Sequence, residues 1–250
     1  MSFVATYDDA REIFYLIDMI STVLEELPLA FRQDGVFTRT VDPSRVYLVE
    51  LELPSGAFEE YSFNSESEIK VGLDLSELKK MLRQVKKGSR LRMIYEETLK
   101  FQIVGRFSKT LKAPLTAAVL EIIEKKVSAN YVYRTKIAID ALRDAMKDVE
   151  TVGERATFSG TKEGLKISTS SDRGDYECFI EAGSEYMLEH DIEQEASVTV
   201  AAEELSKFVS KAYRVCDFVE VAIPDKGPLR LRFELPKGGS VTLYVAPILE

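Results

Sequence analysis

Within the segment "LDLSELKKMLRQVKKG", Lys79, Lys80, Arg83, Lys86 and Lys87 share one polar helix face, while Leu75, Leu78, Leu82 and Val85 form the apolar one. Glu77 is the single acid between Leu75 and Lys87. A second segment, "EELSKFVSKAYR", sets Lys207, Lys211 and Arg214 opposite Leu205, Phe208 and Val209. A third carries Arg143 and Lys147, diluted by Asp140, Asp144 and Asp148, and in a fourth, acidic helix Arg11 is the sole cation. Ammonium and guanidinium groups spread over helix faces suit phosphate attraction, which is electrostatic and independent of base sequence. No aromatic residue interleaves with the lysines, so stacking on unpaired bases is not indicated. A single face of this kind is also what an ordinary solvated helix presents. The contrast is with a chain whose formal net charge is -9.

Residues for bond-breaking chemistry are sparse. The one histidine, His190, has no partner for a metal pair and reads as a surface residue. Cys178 and Cys216 form no CxxC, so neither a disulfide framework nor a metal site is expected. No GxGxxG or phosphate-loop motif occurs, and "PKGGS" reads as a hairpin turn. Asp172 and Asp175 in "SDRGDY" could in principle form an acid/base pair, but a loop of solvated charges accounts for them better. We therefore expect no enzyme, no cofactor and no metal.

The 250 residues, 45% apolar and 30% charged, allow one large domain or two ordinary ones. No apolar run approaches the roughly 18 residues of a membrane span, and "MSFVATYDDARE" lacks a signal-peptide layout. An intracellular, cytoplasmic protein without a membrane partner is expected. Only two Asn and four Gln occur among abundant Glu and Lys, a hint of thermophily.

The elements that must position these cations recur. Ala10, Ile13, Phe14, Ile17, Ile20 and Leu24 trace an amphipathic helix, followed by a hairpin turning at Asp34-Gly35. Ala138, Ala141, Leu142, Ala145, Met146 and Val149 trace another, with a hairpin turning at Glu163-Gly164. An offset of 129 superposes the turns and brings Ile17 onto Met146 and Ile20 onto Val149. An offset of 127 brings Leu78 onto Leu205, Leu82 onto Val209 and Val85 onto Ala212. The lysine-rich helix is expected from about Leu75 to Lys87 and its counterpart from about 203 to 214. Each half thus reads as strand, helix, hairpins, crossover strand, helix, hairpins. "YLVELEL" and "LRLRFEL" alternate, as antiparallel sheets with one wet face require. Between the halves, "PLTAAVLEIIEKKVSANY" aligns with neither. It reads as a rather helical connector whose Val119, Leu120, Ile122, Ile123 and Val127 pack down on something.

"VDPSRVYLVELELPSGAFEEY" (residues 41–61), "GPLRLRFEL" and the closing "LYVAPILE" resemble the archaeal and eukaryotic DNA sliding clamp family, proliferating cell nuclear antigen. The resemblance spans essentially the whole chain. It implies an α+β chain of two duplicated clamp domains, residues 1–114 and 131–250, joined by a connector at 115–130. Three subunits, identical or paralogous, would close a ring, with antiparallel sheets outside and helices lining a channel around duplex DNA. Arg11, Lys79, Lys80, Arg83, Lys87, Arg143, Lys147, Lys207, Lys211 and Arg214 are the implied DNA contacts. A hydrophobic partner pocket is implied at Val41, Arg45, Leu48, Tyr131, Pro228, Tyr244, Ala246, Pro247, Ile248 and Leu249. Clamp loader, DNA polymerase, flap endonuclease and DNA ligase are the implied partners, the enzymes docking through a short motif of Gln followed by spaced aliphatic and aromatic residues. "RFSKTLKA" and "DYECFIEA" occupy the positions where subunits pair. The connector lacks proline, so the resemblance assigns none of its residues to the pocket and leaves partner preference open. The first helix is poor in cations, which leaves open a subunit of a heterotrimeric clamp that does not trimerise alone. An unrelated enzyme on a duplicated α+β scaffold is the remote alternative.

Overall fold

The computed structural model describes residues 1–116 and 121–248; Val119, Leu120 and Leu249 lie outside the described residues. The first half runs β1 (Ser2–Tyr7), α1 (Ala10–Ile20), β2 (Glu26–Arg32), β3 (Gly35–Val41), β4 (Tyr47–Pro54), β5 (Glu60–Asn64), β6 (Ile69–Asp74), α2 (Leu75–Leu82), β7 (Arg90–Tyr95), β8 (Leu99–Val104) and β9 (Ser108–Lys112). The second runs β10 (Tyr131–Ala138), α3 (Ile139–Val152), β11 (Arg155–Thr161), β12 (Gly164–Ser171), β13 (Gly174–Glu181), β14 (Met187–Ile192), β15 (Ala196–Ala201), α4 (Glu203–Ala212), β16 (Phe218–Pro224), β17 (Leu229–Glu234) and β18 (Ser240–Val245). The same succession of elements therefore occurs twice.

The topology repeats as well. In the first half the strand orders are β5-β1-β7-β8-β9 and β6-β2-β3-β4; in the second they are β14-β10-β16-β17-β18 and β15-β11-β12-β13. Two compact units result. One comprises Met1–Thr40, Val49–Glu124 and Leu235–Val241, the other Val41–Leu48, Lys125–Glu234 and Thr242–Glu250. Along β4 the alternate residues Tyr47, Val49, Leu51 and Leu53 are buried, and along β17 so are Leu229, Leu231 and Phe233. Period-two burial of this kind is what a sheet with one covered face demands. The helices cover that face. α1 buries Leu16, Ile17, Met19 and Ile20, and α3 buries Leu142, Ala145, Met146 and Val149. Ile13 and Phe14 are only half-buried, so the buried stripe of α1 is centred further round than the sequence periodicity indicated.

Equivalent backbone bonds tie each helix pair together. Ala10 N donates to Ser89 O (2.7 Å) and Leu75 N to Glu25 O (3.0 Å); in the other half Ile139 N donates to Asp217 O and Ala202 N to Glu154 O, both 2.9 Å. Each bond gives a partner to an amide that no helical carbonyl can reach. α2 stops at Leu82 rather than Lys87, because the chain leaves it through tight turns (Val85 N to Leu82 O, Ser89 N to Lys86 O) and Gly88 at φ 77°. α4 likewise ends at Ala212, leaving Tyr213 and Arg214 in the following turn. The described connector residues form no helix. Ile122 is buried and Ile123 N donates to Arg39 O at 2.7 Å, so tertiary bonding overrides the helical pattern.

The two turn glycines are matched in geometry. Gly35 and Gly164 have φ of 147° and 149°, and a Cβ would stand 2.2 Å from Leu53 O and Ile180 O respectively. No side chain fits either place. Gly35→Ala and Gly164→Ala are each expected to destabilise the protein by at least about 1–3 kcal/mol, read as a lower midpoint in denaturant unfolding. An unshifted midpoint in either variant would mean that the duplicated turn relaxes without cost.

Candidate nucleic-acid interface and partner pocket

The cation-bearing helices begin at defined caps in the first half. Asp9 accepts from Arg11 N (2.8 Å) and Asp74 from Glu77 N (2.9 Å). The latter bond holds the Asp74 carboxyl below its usual pKa. Capping sets where each helix turns its faces. In this unit Lys80 and Arg83 project from α2, and Lys87 from the turn after it, all exposed. Lys80 pairs with Glu77 at 2.6 Å, whereas Arg83 and Lys87 carry no ion pair among the described residues. Lys79 is turned aside, its Nζ 3.3 Å from Asp18 Oδ1 and 3.2 Å from Ser21 Oγ on the α1 side. Arg11 is occupied by Tyr15, to which it donates and over whose ring it lies.

In the other unit α3 and α4 pack side by side, joined by Ser206 Oγ donating to Glu150 Oε2 at 2.6 Å. Arg143 lies 2.7 Å from Asp140 and 3.2 Å from Asp144, and its guanidinium sits 4.9 Å from the Tyr213 ring centre. Lys207 pairs with Glu203 at 2.6 Å, and Lys147 is exposed with no ion pair among the described residues. Lys211 is half-buried, and Arg214 Nε donates to Tyr213 Oη at 3.2 Å. The Tyr213 phenol reports the combined field. Arg214, by that hydrogen bond and by charge, and then Arg143 and Lys147 hold its pKa below the usual value. Cations therefore gather around Tyr213, although the same two helices also carry Asp140, Asp144, Asp148, Glu150, Glu203 and Glu204.

The same unit contains most of the residues assigned to a partner pocket. The loop Val41–Leu48 is built on Asp42, whose Oδ1 accepts from Tyr47 N (2.6 Å) and whose Oδ2 accepts from Ser44 N (2.9 Å). The turn leaves Val41 and Arg45 exposed, with Arg45 at φ 59°, and Leu48 half-buried. The tail is anchored to this loop and to β15, because Ala246 N donates to Val46 O and Ile248 N to Thr199 O, each at 2.8 Å. Along this stretch Tyr244, Ala246, Pro247 and Ile248 stay half-exposed. Tyr131 is 5% exposed beneath the guanidinium of Arg230, 4.5 Å from the ring centre, and burial raises its pKa. Its hydroxyl has no hydrogen-bond partner among the described residues. Pro228, half-buried, adjoins Gly227, where a Cβ would touch Ala129.

Models of the N-terminal and C-terminal domains of proliferating cell nuclear antigen match residues 3–104 and 130–248. The chain belongs to the proliferating cell nuclear antigen family. The DNA polymerase sliding clamp 1 of Pyrobaculum aerophilum is 35% identical over 248 residues, 99% of this chain and 98% of that protein. The structure of PCNA from Thermococcus kodakaraensis matches with a TM-score of 0.90 at 24% identity over 98% of this chain and 100% of that one, a likeness of fold. A chain of the PCNA2–PCNA3 complex from Sulfolobus tokodaii matches at 0.89 and 28% identity, covering 99% and 100%.

Two sheet edges complete the description. β9 and β13 are each the outermost strand of their sheet. Arg106, Lys109 and Lys112 are exposed at the first, while Asp175, Glu177 and Glu181 are exposed at the second. Phe107 is 74% exposed and Phe179 48%. A cavity of about 610 Å³ lined by Met81, Val85, Ile103, Phe107 and Leu111 opens beside β9. Asp172 and Asp175 are both solvated, and no group of three metal-ligating side chains occurs among the described residues. His190, half-buried, stacks edge-on against Tyr133, with Nε2 3.0 Å from Thr161 O.

Sequence reasoning missed Asp42, Arg230 and Tyr213. Asp42 was legible as the acid opening a "DPS" turn; the outward position of Arg230 in an alternating strand gave no hint of its partner. Absorbance titration of wild type against Tyr213→Phe is expected to show the missing phenol ionising below the ordinary tyrosine range. Arg214→Ala should return it upward, and a phenol that ionises normally in wild type would remove the evidence for a positive field.

Proposed function

We propose that this chain is a sliding clamp subunit that encircles duplex DNA and holds replication and repair enzymes to it, with no catalysis of its own. The observation that carries this reading is the segregation of cations onto the outward helix faces of a family member with net charge -9. Arg83, Lys87 and Lys147 would meet phosphate directly, with Lys80, Arg143 and Lys207 joining them as local carboxylate contacts exchange, and Lys211 and Arg214 contributing beside them. Such exchange is cheap, since exposed ion pairs contribute only about 0.2–1 kcal/mol. Phosphate contact without base readout positions a protein on DNA without fixing its place along the sequence. Arg11 and Lys79, already engaged, would contribute least. Residues 1–114 and 131–250 would be the clamp domains and 115–130 the connector.

Ring closure would join the basic β9 edge of one copy to the acidic β13 edge of the next, with Phe179 of each copy placed against the cavity beside Phe107 of its neighbour. Unpaired edges that join head to tail close when the rotation closes. Since one chain carries both edges, the pairing is self-complementary and favours a homotrimer. A ring with paralogues is the second reading, prompted by the PCNA2–PCNA3 complex. The tail, Tyr131, Pro228 and the Val41–Leu48 loop would take the peptide motifs of polymerase, flap endonuclease and ligase, and the clamp loader would open the ring. Action on chromosomal DNA would place the protein in the cytoplasm, at the nucleoid.

Light scattering across micromolar concentrations should give a native mass near three chains, and loaded protein should stay on circular DNA but leave linear DNA. A monomer that trimerises only with a paralogue would favour the second reading, and equal loss from both DNA forms would reject the clamp. Reversing Lys80 and Arg83 to Glu should weaken retention at low salt while leaving the mass unchanged; normal retention would reject the channel assignment.

A further inference from the structure

The largest fully buried side chain of the protein is a charged one. Arg39 on β3 is 2% exposed, and its guanidinium serves three acceptors. Nε and Nη2 meet the Glu50 carboxylate, and Nη1 donates to Ile123 O at 3.1 Å and Glu124 O at 2.9 Å. The strand returns the contact through its backbone, Arg39 O accepting from Ile123 N. Arg32 reinforces the arrangement from β2, reaching Glu124 Oε1 at 2.9 Å and Glu68 Oε2 at 2.8 Å. Both guanidiniums lie over the Phe37 ring, 4.7 and 5.2 Å from its centre.

These bonds fall on a stretch with no helix or strand of its own, which is where a connector would otherwise lose order. Glu50 alone would satisfy the charge of Arg39. The two additional carbonyls are contacts that only a planar fork can serve at the same time as a carboxylate. Arg39 also stands two residues before Val41, on the strand that delivers the loop bearing Arg45. Downstream, six residues separate Glu124 from Tyr131, a reach of at most about 25 Å, so fixing Glu124 restricts where they run.

We infer that Arg39 is a positioning residue for partner recognition, a latch that pre-orders the connector and so spares an incoming peptide the entropy of ordering it. The inference rests on the partner-pocket reading given under the proposed function. Arg32, half-buried, is the weaker arm of the same latch.

The test replaces the pair together, Arg39→Met with Glu50→Leu, because an apolar pair of similar volume keeps a core stable where a lone buried charge would not. The probe is a synthetic peptide of the Gln, aliphatic and aromatic motif class, titrated calorimetrically into the full-length protein. The melting temperature and native mass should be unchanged, hydrogen exchange at Ile123 should accelerate, and affinity should fall about tenfold. Arg39→Lys, which keeps the charge and loses the fork, should bind between the two. If the double variant fails to fold, Arg32→Ala removes only the surface arm and should weaken the peptide about two- to threefold through slower capture or faster release. Unchanged affinity beside a wild type that binds would overturn the latch alone. A wild type that does not bind the peptide would overturn the pocket reading, and the latch with it.

Discussion

Each helix pair is fixed by two backbone hydrogen bonds that run in opposite senses, from the start of one helix to the chain just after the other. Ala10 to Ser89 and Leu75 to Glu25 do this in one half, Ile139 to Asp217 and Ala202 to Glu154 in the other. The donors are first-turn amides or a cap, groups whose burial without a partner costs about 1–3 kcal/mol each. Bonding both ends prevents the pair from sliding or rotating. The apolar stripe of each helix is thereby committed to its sheet, and the cations, one half-turn away, are committed outward. The position of the charges is thus a consequence of backbone satisfaction, not of attraction between the charges themselves. In α3 and α4, where Ala138 and Ala202 offer no side-chain cap, the reciprocal bonds take over part of the role that Asp9 and Asp74 have in the first half.

The electrostatics follow from that placement. Glu77, Asp140, Asp144 and Glu203 partly neutralise their cationic neighbours. Screening over about 8 Å at physiological ionic strength confines such a field to the immediate surface. Tyr213 sits between the guanidiniums of Arg143 and Arg214, 4.9 and 5.6 Å from its ring centre. A surface of half-satisfied cations would attract a polyanion and tolerate its displacement. Tightly built, buried cation sites would do the opposite, and Arg39, the one cation sealed in the core, indeed faces protein carbonyls.

Much of this architecture was legible because its signals are local. The 129-residue offset rested on apolar periodicity and two turn glycines, and Gly35 and Gly164 turn out to share a backbone conformation that no other residue type adopts easily. Helix ends were less legible, since Lys86 and Lys87 are good helix formers displaced by a turn. The connector was misread for a related reason: its apolar spacing fits a helix, but the deciding partner is an arginine 84 residues away in sequence. Arg230 over Tyr131 and Asp42 under its own loop were obscure in the same way. Periodicity reports which face is buried; it carries no record of which distant side chain supplies the last hydrogen bonds.

The tail shows how an exposed apolar surface can be stable without being covered. Ala246 and Ile248 give their amides to Val46 and Thr199, so the backbone is satisfied at both ends of the Pro247 step. Proline has no amide to satisfy, which makes it the residue that can sit between two such anchors without leaving a donor unpaired. Pro247 and Ile248 are therefore held half-exposed by backbone bonds. Asp42 does the same for Val41 and Arg45 on the facing loop of this unit, bonding inward so that those side chains point out. In both segments polar backbone contacts fix the position while apolar side chains remain available. An apolar surface that owes its shape to the backbone loses nothing when a ligand covers it, and among the described residues the buried hydroxyls of Tyr47, on that loop, and of Tyr131 both keep bonding capacity unused.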